Sequence, residues 1–200
     1  MGVSKPRHVG WLGFGFAILL FLSSAMVSAP RSDAPLGEIG AFYAANQTII
    51  LIAQALGLVA AVILVLFIFG LSELLSDTRV KITGMLVAAA AALTSVPLIV
   101  MTFQGSDLSP TMVSLTDITD AVLFLAIAVL FAVLATNSRI PMWIRGPCVV
   151  GAGLTLVRGY LGFGPVFTTL DVIAPLSFVV IVLVLAGWAF RASPGSHRVV

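Results

Sequence analysis

Arg158 stands inside a mostly apolar run, from Cys148 to Leu161, where no other charged residue occurs. A charge held at the middle of a hydrocarbon layer costs about 2.5–3.5 kcal/mol on insertion scales, so it needs a partner or a path to water. Three carboxylates are placed to serve it. Asp117 and Asp120 lie three residues apart, on one helical face, and Asp171 opens a later apolar run. The pattern predicts an ion pair from Arg158 to Asp120 first, with Asp117 or Asp171 as the alternative partner. Such a group supports either an outward-facing polar pocket that binds a small solute, or a proton site where Asp120 titrates. The simpler reading is an ion pair that only locks helices together. Gln47 and Gln54, seven apart on one face, and Asn46 beside them belong to the same candidate pocket. As bonds across helices alone, amides of this kind contribute about 1 kcal/mol or less.

Other chemistries lack their residues. His8 and His197 both lie in the terminal segments, which leaves no imidazole within the apolar runs for haem ligation or Ser-His hydrolysis. The single cysteine, Cys148, excludes an intrachain disulfide and a cysteine-cluster metal site. Gly162-Phe163-Gly164 looks like the end of a potassium filter, but Tyr160 stands where a threonine is required. Gly13-Phe14-Gly15 lacks the following glycine of a dinucleotide site. Asn46-Gln47-Thr48 fits the glycosylation pattern, yet it falls at the edge of an apolar run. No nucleophile–base pair falls inside the runs. The expectation is a protein without enzymatic activity and without metal or redox cofactor.

The elements that must position these residues follow from composition. The 200 residues are 60% hydrophobic and 9% charged, against about 25% charged in a soluble domain. Such a chain belongs in a bilayer, and at about 20 residues per span six spans use it up. The apolar runs place them at about 9–29, 46–71, 82–103, 116–136, 142–163 and 171–190, a single transmembrane domain over 1–200. The first span also has the look of a secretory signal, with Lys5 and Arg7 before an apolar core and small residues at Ser23-Ser24-Ala25 and Val27-Ser28-Ala29. Pro30 directly after the second site argues for a retained helix. The stretch from Pro35 to Leu71 would run about 55 Å as one helix, so 36–45 is expected to protrude or lie in the interface, with Asp33 as its N-cap and Phe42 and Tyr43 in the headgroup belt. Ser109-Pro110 reads as an N-cap followed by a first-turn proline.

Small residues recur every four positions at Ala53, Gly57 and Ala61, at Gly84, Ala88 and Ala92, and at Gly151, Thr155 and Gly159. Each set allows close helix approach, more readily within the bundle than between subunits. Pro97 and Pro175 are expected to kink their spans, and no internal repeat is apparent.

With six spans the charges sort by side. Lys5, Arg7, Arg79, Lys81, Arg139, Arg145, Arg191 and Arg198 fall on one side, and Arg31 on the other, with Arg158 near it. That bias makes both termini cytoplasmic. Asp33, Glu38, Asp107, Asp117, Asp120 and Asp171 lie on or near the opposite face, and only Glu73 and Asp77 join the cations in a solvated turn. The polar residues within the spans gather in the same outer half, and the inner half is almost pure Leu, Val, Ile, Ala and Phe. The basic residues are scattered rather than clustered, which excludes nucleic acid as a partner.

The segment Phe42-Tyr43-Ala44-Ala45-Asn46-Gln47, entering a long apolar helix that ends Gly70-Leu71-Ser72-Glu73-Leu74-Leu75, resembles small six-span bacterial integral membrane proteins of unknown function. The resemblance implies a multi-pass protein of the bacterial inner (plasma) membrane and no known activity. The most economical expectation is an all-α bundle of six transmembrane helices acting as a structural or accessory membrane component. The alternative is a small-solute transporter or binding protein built around Arg158 and Asp120. Its partners would be the lipid bilayer, a membrane protein or a second copy of the chain, and in the alternative a small solute.

Overall fold

A computed structural model describes residues 6–30, 32–161 and 168–192. Lys5, Arg31, His197, Arg198 and the segment Gly162-Phe163-Gly164 lie outside the described residues. Within them the chain is all-helical and contains no strand. Seven α-helices occur there: α1 (Pro6–Met26), α2 (Leu36–Ala45), α3 (Gln47–Leu75), α4 (Thr78–Gln104), α5 (Pro110–Thr136), α6 (Met142–Leu161) and α7 (Thr168–Arg191), with one 3₁₀ turn at Gly105–Asp107. Five of them, α1, α3, α4, α5 and α7, are long and apolar enough to cross a membrane. The 20 residues of α6 are diluted by Arg145, Arg158, Pro147 and the glycines at 146, 151, 153 and 159.

The helix ends follow from local chemistry. Ser109 accepts a hydrogen bond from the Thr111 amide, with Pro110 at the first helical position, so α5 opens with a side-chain cap and a missing N–H where none is needed. Asp77 caps α4 in the same way through the Arg79 amide, at 3.0 Å. Between α3 and α4 the chain turns on two residues, because Ser76 adopts the left-handed conformation, φ 46°, and closes α3 at once. The long second element is broken at Asn46, whose φ of −113° is not helical and whose side-chain amide donates to the Phe42 carbonyl, 2.9 Å away. The piece ahead of the break is a separate helix, α2. Its cap position is Pro35 and carries no side-chain cap, so Asp33 does not fill the role expected of it.

The six long helices form a closed ring in which each packs on its neighbours in the order α1, α3, α4, α5, α6, α7 and back to α1. Neighbours run antiparallel, so the start of α1 and the end of α7 meet at one end. There Trp11 packs edge-on against Phe190, with ring centroids 5.1 Å apart. The half of the ring at this end is solid: Phe67, Ile68, Leu71, Phe131, Leu134, Ile144, Cys148 and Leu185 are all buried. Close backbone approach makes that density possible. A Cβ added to Gly151 would lie 2.6 Å from Ile181 and 2.8 Å from Phe131, and one added to Gly159 would lie 2.9 Å from Leu125. Two of the three small-residue series therefore serve contacts within the bundle through their glycines: Gly84 faces Ile68, and Gly151 and Gly159 face α5 and α7. Gly57 is looser, with only the Ser23 hydroxyl near.

At the other end the packing opens. Here α2 lies across the ring, and Ile39 and Tyr43 are buried with Ile50, Met101 and Leu108 in a second, smaller core. Tyr43, expected in the headgroup belt, is thus a packing residue.

Candidate functional site

Among the described residues, two cavities lie in the open half of the ring. The first, of about 230 Å³, lies beneath α2 and is lined by Ser32, Tyr43, Thr116, Asp117, Arg158 and Asp171 together with apolar residues of α4 and α5. The second, of about 380 Å³, lies inside the ring and is lined by Phe16, Ala61, Ala91, Phe124, Phe178 and other apolar side chains, with Asp120 and Ser24 as its polar members. We refer to them as the polar chamber and the central cavity.

Arg158 forms the wall between them. Its Nη2 donates to Asp120 Oδ2 at 2.9 Å. Its Nε lies 2.7 Å from Asp171 Oδ1, close enough for an ion pair, although the N–H is not aligned for a hydrogen bond. The guanidinium also sits over the Phe124 ring, 5.2 Å from its centroid. The Arg158 side chain is 13% exposed, whereas those of Asp120 and Asp171 are 35% and 33% exposed. The cation is thus buried by its partners, and the partners keep a face toward open space. Asp117, one turn before Asp120, reaches the polar chamber rather than the pair. Arg158, Asp117, Asp120 and Asp171 are therefore brought together from α5, α6 and α7.

The amides are not. Asn46 is spent on the α2–α3 break, Gln47 is exposed, and Gln54 is half-buried on α3. None of the three lines the polar chamber or the central cavity. Conversely, Tyr43 lines the chamber and was not among the expected residues. Burial pushes its phenol up to about 12, so it stays protonated and can donate a hydrogen bond into the chamber. Its signal in the sequence was the apolar i, i+4 pair Ile39 and Tyr43 on a short helix, the face that packs inward.

A second polar group, also missed, ties the solid end of the ring. Asp77 forms an ion pair with Arg79 at 2.9 Å and accepts a hydrogen bond from the Asn137 amide at 3.0 Å. Arg139 donates to the Ser76 hydroxyl. The α3–α4 turn is thereby fastened to the α5–α6 turn, and Asp77, 10% exposed, is not merely solvated. The Arg79 guanidinium holds the Asp77 carboxyl down at about 2.

Among the described residues no group of three or more His, Cys, Asp or Glu side chains is arranged to hold a metal ion. What the Arg158 group can do is bind: it presents fixed charge to a chamber on one side and an apolar cavity on the other. The chain matches no protein-family model, no curated protein and no solved structure.

Proposed function

We propose that this chain is a multi-pass membrane protein that binds a small solute at the Arg158 group, as a transporter or a solute-binding component. The observation that carries the reading is that Arg158 lines the polar chamber while its partner Asp120 lines the central cavity. A pair serving only to lock helices gains most when it is dry and closely packed, because water weakens it. Here both acids are about one-third exposed, beside cavities in the one half of the ring that is not filled.

In this reading α6 is a sixth span beside the five apolar ones. The two charges along it are each compensated: Arg145 donates to the Ala135 backbone carbonyl in the last turn of α5 at 2.7 Å, and Arg158 has its acids. An even number of spans places both termini on one side, and the cation bias makes that side the cytoplasm. The solid half then faces inward and the chamber outward. The first helix is retained, since Val9 and Phe16 fill the core against α3 and α7. The resemblance noted above favours a bacterial inner membrane.

The accessory-component reading keeps one observation of its own. The outer face of α6 exposes Trp143, Val149, Val150, Leu156 and Val157 around Gly146 and Gly153, neither of which has a neighbour within 4 Å of an added Cβ. A partner helix or a second copy could pack there.

Thermal unfolding of the purified protein against panels of small amines, acids and lipids across pH separates the two. A ligand present at about 100 times its Kd stabilises by about 2.7 kcal/mol, a shift of several degrees. The solute-binding reading expects such a shift, reduced in Asp171→Asn. No shift with any compound at any pH leaves the accessory reading.

A further inference from the structure

The two cavities divide the properties of one ligand between them. The polar chamber, at about 230 Å³, is smaller than ordinary ligand pockets, which span about 300–1,000 Å³. The central cavity, at about 380 Å³, reaches that range but is nearly all apolar. A ligand lying in both, past the Arg158–Asp120 contact, would have a polar head and an apolar body.

Charge fixes the sign of the head. Around the partition three carboxylates, Asp117, Asp120 and Asp171, face one guanidinium, so two acids are not compensated by Arg158. Glu38 and Asp107 lie at the same end of the ring, and among the described residues the acids there outnumber the cations. Low-dielectric walls focus such a field and attract positive solutes. An anion would meet repulsion from every acid at this end.

The body is set by the central cavity. Phe16, Phe124 and Phe178 line it from three helices, a lining suited to an apolar or aromatic group. Its rim includes exposed residues of α1 and α7. The close contacts of those helices lie in the solid half, where Gly10 and Gly13 face Phe190 and Ala186. Beyond them, Phe21 and Leu176 line the cavity and are 68% and 52% exposed. The apolar end of a ligand thus reaches the lipid side.

We propose that the solute is a small amphipathic organic cation, its charged nitrogen held among Asp117, Asp120 and Asp171 and its apolar group seated in the central cavity. The assignment rests on the solute-binding reading above and gives that site its ligand class.

The test is equilibrium binding to the full chain in lipid nanodiscs, with empty nanodiscs subtracted, using benzyltrimethylammonium, tetramethylammonium and 3-phenylpropionate. Quaternary nitrogen keeps its charge at every pH. The benzyl compound should bind at least about tenfold tighter than tetramethylammonium, since burying its ring is worth that much or more, and 3-phenylpropionate should not bind. Ala91→Leu, which fills the central cavity, should bring the ratio of the two cations toward one, and Asp171→Asn should weaken both. Equal affinity of the two cations for the wild type overturns the assignment, as does preference for 3-phenylpropionate. Either result still leaves a solute site. If none of the three binds, the assignment is also overturned, and the thermal panel then decides separately whether any solute is bound.

Discussion

Arg158 on α6 and Asp120 on α5 meet at 2.9 Å across the partition between two cavities, and the same guanidinium holds Asp171 of α7 at 2.7 Å. One cation therefore fastens three helices of the ring at the place where the bundle is hollow. The arrangement is asymmetric: Arg158 has two acids, while either acid has one arginine.

That asymmetry predicts unequal mutants. Arg158→Gln leaves Asp120 and Asp171 without their cation and should lower stability by about 1–3 kcal/mol. Asp120→Asn should lower it by less, because Asp171 still pairs with the arginine. The double variant should be less destabilised than the sum of the two, measured by reversible unfolding in mixed micelles. Strict additivity would show that the two residues do not interact.

Two glycines of α6, two positions apart, should respond oppositely. Gly151→Ala places a Cβ 2.6 Å from Ile181 and should cost about 1–3 kcal/mol through overpacking. Gly153 has nothing within 4 Å, and Gly153→Ala should be neutral or stabilising by up to about 1 kcal/mol, the helix propensity difference. Thermal midpoints of both variants, compared side by side, check this. Equal losses would mean that α6 is packed on both faces.

The Asp77 node makes the turns at the solid end sensitive to acid. The carboxyl is lowered to about 2 from an ordinary value of 3.8, chiefly by its hydrogen bond with Arg79. A lowered folded-state value means that the charged form stabilises the fold: the contribution is complete above about pH 4 and lost as the pH falls through about 2. Asp77→Asn should therefore be less stable than wild type near neutrality, and the gap should close between about pH 4 and 2. A gap that stays constant over that range, in unfolding midpoints taken at each pH, would contradict the role of the charge.

The sequence exposed the Arg158 group because charge is rare in this chain and each charged residue needs a reason. Apolar runs located the helices, and Ser109-Pro110 marked a boundary by its capping chemistry alone. Other features depended on tertiary relations. The break at Asn46 rests on a side chain turning back on its own helix, inside a stretch whose composition is helical throughout. Asp77 looked like an ordinary turn acid because its partner Asn137 is sixty residues away. Gln54 looked like a pocket residue because helical spacing fixes which face a residue shares, and does not fix what that face meets. The cavities were invisible for a related reason: lipid-facing and ring-facing sides are both apolar here, so no periodicity separates them.

Binding of a solute from outside requires that water reach the Arg158 group from that side of the membrane. Thr116 lines the polar chamber beside Asp117, and its hydroxyl donates only to the Met112 carbonyl of its own helix. In a Cys148→Ala background, Thr116→Cys should react with a membrane-impermeant thiol reagent applied to intact cells, and Leu130→Cys, buried in the main core and lining neither cavity, should not. Labelling of Thr116→Cys in intact cells, slowed by a bound organic cation, is the predicted result. Absence of labelling from either side of the membrane would contradict an open chamber, and labelling only after the cells are broken would place it on the cytoplasmic face.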